Sequence, residues 1–134
     1  MPPELPESGS ARDWLRHANS DLHLSRSRPP QVLREALAFH AQQASEKAIK
    51  AVLVHLNIEF PKTHSLVVLS DLLPGEIVKP MHTEVRSLTD YAVTTRYPGE
   101  WEPVSEEELV QATALAQQVV EWAETVLTSD NSAK

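Results

Sequence analysis

Apolar residues recur every three or four positions along most of this chain, the period of a helix that buries one face. Between Ala11 and Arg26 the stripe is Ala11, Trp14, Leu15, Ala18 and Leu22, with Ser10 placed to cap the helix start. The segment SRPP breaks this helix, and Pro30 suits the first turn of the next. That second helix is expected from about Gln31 to Leu56, with Leu33, Leu37, Ala41, Ala44, Ala48, Ala51 and Leu56 along it. At ~1.5 Å per residue it spans roughly 39 Å, enough for the spine of a bundle. NIEFPKT ends it, and Thr63 is expected to cap a short third helix in HSLVVLSDLL, which PGE stops.

A fourth helix is expected over Ile77–Thr95, carrying Val78, Met81, Val85, Leu88 and Ala92, with Pro80 in or near its first turn. Pro98, Gly99 and Pro103 make RYPGEWEP a loop. Ser105 and Glu108 have the spacing of a capping box, and Glu106 and Glu107 suit the positive end of the helix that follows. This fifth helix places Leu109, Ala112, Ala116, Val119, Ala123 and Val126 on one side. Residues 1–10 read as a disordered leader, 11–128 as the folded unit and 129–134 as a disordered tail. Amphipathic helices joined by short connections predict an all-α, antiparallel up-and-down bundle of four to five helices.

Composition narrows the chemistry. The chain's 134 residues suit one domain. Three glycines and an excess of helix formers agree with the all-α pattern. The absence of cysteine excludes disulfides and thiolate metal sites. No apolar run approaches the ~18 residues of a membrane span, and MPPELPESGS lacks the basic start and apolar core of a secretory signal. A cytoplasmic protein is expected. Net charge is −7, unevenly spread: residues 1–56 hold seven Lys/Arg against six Asp/Glu, whereas residues 97–134 hold one base against eight acids. Such a chain is poorly suited to double-stranded DNA, although a basic face in its first half could meet a phosphate.

The long helix contains a puzzle. LAFHAQQASEKAIKAVLVHL, residues 37–56, is apolar enough for a core, yet it carries His40, Gln42, Gln43, Glu46, Lys47 and Lys50. His40, Gln43, Lys47 and Lys50 fall three or four apart and share one side. Glu46 and Lys50 form an i, i+4 pair, which leaves Lys50 served and solvated. The row reads either as a solvated edge or as the wall of a polar cleft shared with the Arg96 loop or a second subunit. The cleft reading predicts Gln43 and Lys47 less exposed than an ordinary surface pair.

For a ligand, His40 could donate to a phosphate or base, Gln43 supplies an amide, and Lys47 a point charge for phosphate. Arg96 brings a fork of five donors, and Tyr97 and Trp101 offer aromatic faces. Each has a structural alternative: His40 satisfied by a neighbour on the helix face, Gln43 and Lys47 in an interhelix polar contact or ion pair, Arg96 closing on a helix end or a buried Glu, and Tyr97 packing beneath the loop; His64 could bond across the bundle to fix the third helix. His17, His23, His55 and His82 lack metal-ligand spacing, so no metal site is expected. Glu100, Glu102, Glu106, Glu107 and Glu108 read mostly as helix-start electrostatics.

FHAQQASEKAIKAVL (39–53), PKTHSLVVL (61–69) and YAVTTRYPGEW (91–101) follow one another as in the HEPN domain family, which the chain resembles over about residues 11–127. The resemblance implies an all-α up-and-down bundle, usually dimeric, often working beside a small nucleotidyltransferase and sometimes in a toxin–antitoxin pair. Many members are metal-independent ribonucleases; others are nucleotide-binding or accessory modules. The ribonuclease branch carries an Arg followed after four to six residues by a His, late in the domain. Arg96 stands at that place, but Trp101, Glu102 and Pro103 occupy the histidine window. Arg12/His17, Arg16/His23 and Arg34/His40 satisfy the spacing away from the motif's place. A histidine is what acid–base work near neutral pH needs, and tryptophan does not titrate.

The expectation is therefore a non-catalytic HEPN module. It binds a nucleotide such as ATP through His40, Gln43, Lys47, Arg96 and Tyr97, or accompanies a nucleotidyltransferase. A homodimer is expected from the family and from apolar surface at Trp14, Trp101 and Trp122. The first alternative is a ribonuclease using Arg96 with His40 or His64 as catalytic residues, with RNA as the less favoured partner. The second is an adaptor that masks a partner's surface.

Overall fold

The computed structural model describes residues 10–75 and 104–133, the last four as backbone alone. Four helices appear among them: α1 (Ala11–Ser27), α2 (Arg34–His55), α3 (Leu66–Asp71) and α4 (Glu106–Ala133), with no strand. The helix expected over Ile77–Thr95 and the loop bearing Arg96, Tyr97 and Trp101 lie outside the described residues.

The helix ends follow local chemistry. Ser10 accepts from the Asp13 amide at 3.1 Å and caps α1, as its position predicts. Arg28 takes a left-handed conformation, φ 54°, and reverses the chain after α1. Pro29 to Val32 then form a turn closed by the Val32 amide on the Pro29 carbonyl at 3.2 Å. The prolines thus serve the turn, and α2 begins at Arg34, three residues later than the pattern suggests; its N-cap, Leu33, makes no side-chain cap. At the other end Asn57 is left-handed, φ 61°, and the Ile58 amide reaches the Leu53 carbonyl at 2.9 Å. With Asn57 N–H on Val54 this is a Schellman closure, and Asn tolerates the conformation it needs.

Ser65, and not Thr63, caps α3, accepting from the Val68 amide at 3.2 Å. Thr63 instead accepts from the Ser65 amide at 3.0 Å and shapes the approach. Ser105 and Glu108 form the expected reciprocal capping box, at 2.8 and 3.0 Å. α4 then continues to Ala133, through positions for which the sequence suggests a disordered tail.

Packing joins α1, α2 and α4. The buried hydroxyl of Ser25, late in α1, lies 3.0 Å from that of Thr113, early in α4, so these helices run antiparallel. The start of α2 meets the start of α4, where Glu35 accepts from the Val104 amide at 2.9 Å and Arg34 donates to its carbonyl at 3.2 Å. α2 and α4 therefore run the same way and α1 opposite to both, an up-and-down arrangement. Ala41, Ala44, Ala48 and Ala51 on α2 and Ala116 and Ala123 on α4 are wholly buried. Their small side chains let helix axes approach, while Leu15, Leu53, Leu66, Leu69, Val119 and Leu127 fill the core. Each fully buried leucine contributes about 1.5–3 kcal/mol. A smaller cluster of Leu37, Ala38, Val104 and Leu109 closes one end.

Candidate functional site

The polar row of α2 does not face one cleft as a unit. Two carboxylates divide it. Asp21 of α1 receives His40 Nδ1 on one oxygen at 2.9 Å and Lys47 Nζ on the other at 2.7 Å. His40 and Lys47 stand two turns apart on α2, so both lean onto a residue of the antiparallel neighbour. Glu46 of α2 receives Lys50 Nζ at 2.8 Å and His64 Nδ1 at 3.1 and 3.2 Å on its two oxygens. Each centre is thus a carboxylate holding one ammonium and one imidazole.

Their surroundings differ. Around Asp21 the side-chain exposures are 13% for Asp21, 25% for Lys47 and 31% for His40. Glu46 keeps 3% and Lys50 10%, although the His64 ring above them keeps 68%. Lys50 is therefore buried, where the sequence suggests a solvated lysine. Its ammonium lies 5.4 Å from the Trp14 ring centroid and 5.6 Å from that of Phe60, so two aromatic faces and Glu46 replace its water. Trp14 and Phe60 themselves meet edge to face, with centroids 6.4 Å apart.

Gln42 and Gln43 belong to the inner centre. Gln42, wholly buried, donates to Glu46 Oε1 at 3.3 Å and to the His64 carbonyl at 3.2 Å. Gln43 donates to Gln42 at 2.8 Å and to Glu46 at 3.4 Å. The structure therefore brings His40 and Lys47 together, turns Gln43 toward Glu46, and uses His64 to bond across the bundle to α2. Gln43 and Lys47 are both only partly exposed, because Glu46 holds one and Asp21 the other. Arg96 and Tyr97 lie outside the described residues.

Asp21 is the participant that sequence reasoning overlooked. It sits beside Leu22 and three residues after Ala18, at the margin of the α1 stripe. An acid there, on the helix expected to pack against His40 and Lys47, is the signal that could have found it. Phe39 is exposed next to the site, its ring edge-on to His40 at 5.5 Å. Because Nδ1 is held by Asp21, the His40 Nε2 edge points away from the carboxylate. The arrangement orients an imidazole and an ammonium side by side at the edge of the bundle, with most of their charge already compensated.

A second polar junction joins the ends of the same helices. Arg28 grips Glu106 with two bonds, 3.0 and 2.8 Å, and Arg34 adds a cation at 3.6 Å. The Arg28 hydrogen bonds hold the Glu106 carboxyl below the usual glutamate range, assisted by the charges of Arg28 and Arg34.

The HEPN domain model matches residues 11–126, most of the chain. This chain belongs to the HEPN family. Solved structures agree with that assignment. The HEPN chain is similar to TT1696 from Thermus thermophilus, with 28% identity, a TM-score of 0.74, and coverage of 87% of this chain and 98% of that one. It also shares its fold with ST0689, described as an archaeal HEPN homologue, at 24% identity and a TM-score of 0.71, covering 89% and 98% of the two chains. Among curated proteins none matches. None of the described helices of this HEPN chain is long and apolar enough to cross a membrane.

Proposed function

We propose that this HEPN chain is an accessory module of a small nucleotidyltransferase, and that it reads a nucleotide such as ATP at the α1–α2 edge. The observation that supports this reading is the Asp21 centre. Asp21 holds His40 and Lys47 side by side while leaving each partly exposed. A nucleotide phosphate would meet Lys47 and the His40 Nε2 edge, displacing part of the Asp21 interaction; the exposed Phe39 ring offers a face for a base. Glu46 and Lys50 play no direct part here, since burial closes them off. Gln43 supports the site through the Gln42–Glu46 bonds. Arg96 and Tyr97 are proposed as further contacts for the fork of donors and the aromatic face that their side chains offer.

Because Asp21 already compensates Lys47, the affinity expected is modest. Isothermal titration of the purified chain with ATP tests the reading. Saturable heat that falls about tenfold in affinity in Lys47→Ala, and rises in Asp21→Asn, is the expected result. No heat with ATP, or equal affinity in the Lys47 variant, rejects the nucleotide site.

The oriented His40 supports one second reading, a metal-independent ribonuclease in which this imidazole takes the base role. Cleavage of a structured RNA that survives EDTA and vanishes in His40→Ala would put this reading first. RNA left intact by the parent protein would remove it.

A further inference from the structure

We propose that the groove between α1 and α4 is a docking site for a helical segment of a partner protein that carries a basic and an acidic side chain about two turns apart. The groove measures about 350 Å³ and is lined by Asn19, Leu22 and Arg26 of α1 and by Gln117, Val120, Glu121, Glu124 and Thr125 of α4. It lies on a different side of α1 from Asp21, so the inference stands apart from the nucleotide reading.

Its floor is apolar: Leu22 and Val120 are buried. Its rims are polar, exposed at every position but the half-buried Gln117, and their charges are separated along its length. Ser25 faces Thr113, which sets Arg26 toward the N-terminal half of α4. Glu124 stands seven residues beyond Gln117, roughly 10 Å further along the axis. One end is thus cationic, and the other carries Glu121 and Glu124.

These charges are not spoken for. Of the other described cations, Arg16 pairs with Asp13, Arg28 and Arg34 with Glu106, Lys47 with Asp21, and Lys50 with Glu46, whereas Arg12 and Lys62 lie apart from the groove and make no ion pair among the described residues. Arg26 and Glu124 have none among the described residues, and the Glu121 carboxylate receives only the Gln117 amide, at 3.1 Å. A Lys or Arg whose stem lies on Leu22 and Val120 would set its cation between the two glutamates. An acid two turns away would meet Arg26. A second copy of this chain is a poorer occupant, because two concave faces leave each other's floor unfilled.

The test uses a fluorescein-labelled helical peptide of about 18 residues, long enough to hold helix in water, built from Ala, Leu, Lys and Glu with Lys and Glu seven apart on one face. Anisotropy is expected to show saturable binding to the full chain. Binding should weaken about tenfold in E121K/E124K and hold in E59K/E107K, which alters net charge equally on exposed positions elsewhere. A peptide with Lys replaced by Glu should regain binding to E121K/E124K. Circular dichroism checks the fold, and E121Q/E124Q serves if the charge reversal unfolds the chain. The proposal is overturned if the parent shows no saturable binding. Equal weakening in both doubles overturns it as bulk charge attraction. So does sedimentation showing self-association that E121K/E124K abolishes.

Discussion

The Asp21 and Glu46 centres use the same three groups, a carboxylate, an ammonium and an imidazole bonded through Nδ1, within about two turns of one another on α2. They differ in where the carboxylate sits. Glu46 lies inside, backed by Gln42 and by Lys50 beneath two aromatic rings, and its bonds hold the loop before α3 against α2. Asp21 lies at the margin of the α1–α2 contact, where its partners keep water on one side. The same trio is thus closed off when desolvated and, in the proposed nucleotide reading, the ligand contact when half-wet. Burial, and not residue type, decides the role, because it sets what leaving a charge unpaired costs.

The largest expected effect falls on the inner centre. Glu46→Ala strands the Lys50 ammonium in a desolvated site and should cost about 3–5 kcal/mol in urea unfolding. Replacing both partners, as in E46L/K50M, removes the stranded charge and should recover most of that loss. If Glu46→Ala costs no more than the matching change at Asp21, the comparison between the centres collapses.

A smaller loss is expected at the outer centre. Asp21→Ala leaves Lys47 and His40 partly hydrated, so about 1–2 kcal/mol is expected by the same measurement. The functional contrast sharpens the picture further. Lys47→Ala should weaken ATP binding about tenfold, while Lys50→Met, wherever the protein remains folded, should leave it unchanged. Equal losses from both lysines would merge the two centres into one site.

The smallest effect extends the series to an exposed carboxylate. Glu106 titrates below the usual range because Arg28 donates two hydrogen bonds to it. A group with a depressed folded-state pKa stabilises the fold above its unfolded value, and that contribution fades as pH falls through the folded value. Arg28→Ala should therefore raise the Glu106 titration toward the ordinary range in a carboxyl NMR experiment and flatten the acid limb of the stability profile. An unmoved titration would mean that the pair does not form in solution.

Much of the framework was legible from local chemistry. Ser10 and the Ser105–Glu108 box cap where their spacing says they should, since a cap needs only the next three residues. The alanine stripe of α2 is buried because its period matches the helix. Local rules also had competitors. Pro30 was compatible with a helical first turn or with the turn it in fact makes, and Thr63 with a cap two residues before the one Ser65 provides. The same limit applies to Lys50: an i, i+4 partner predicts the Glu46 bond but says nothing of the Trp14 and Phe60 faces brought from α1 and the loop after α2.

By itself the sequence determined an all-α bundle of the HEPN family, its described helices and the caps at Ser10 and Ser105, because those depend on period and near neighbours. Only the tertiary structure decided that the polar row splits between Asp21 and Glu46, that Lys50 is interior, and that α1 and α4 leave a charged groove. Such facts depend on residues tens of positions apart meeting in space, and on how much water remains when they do.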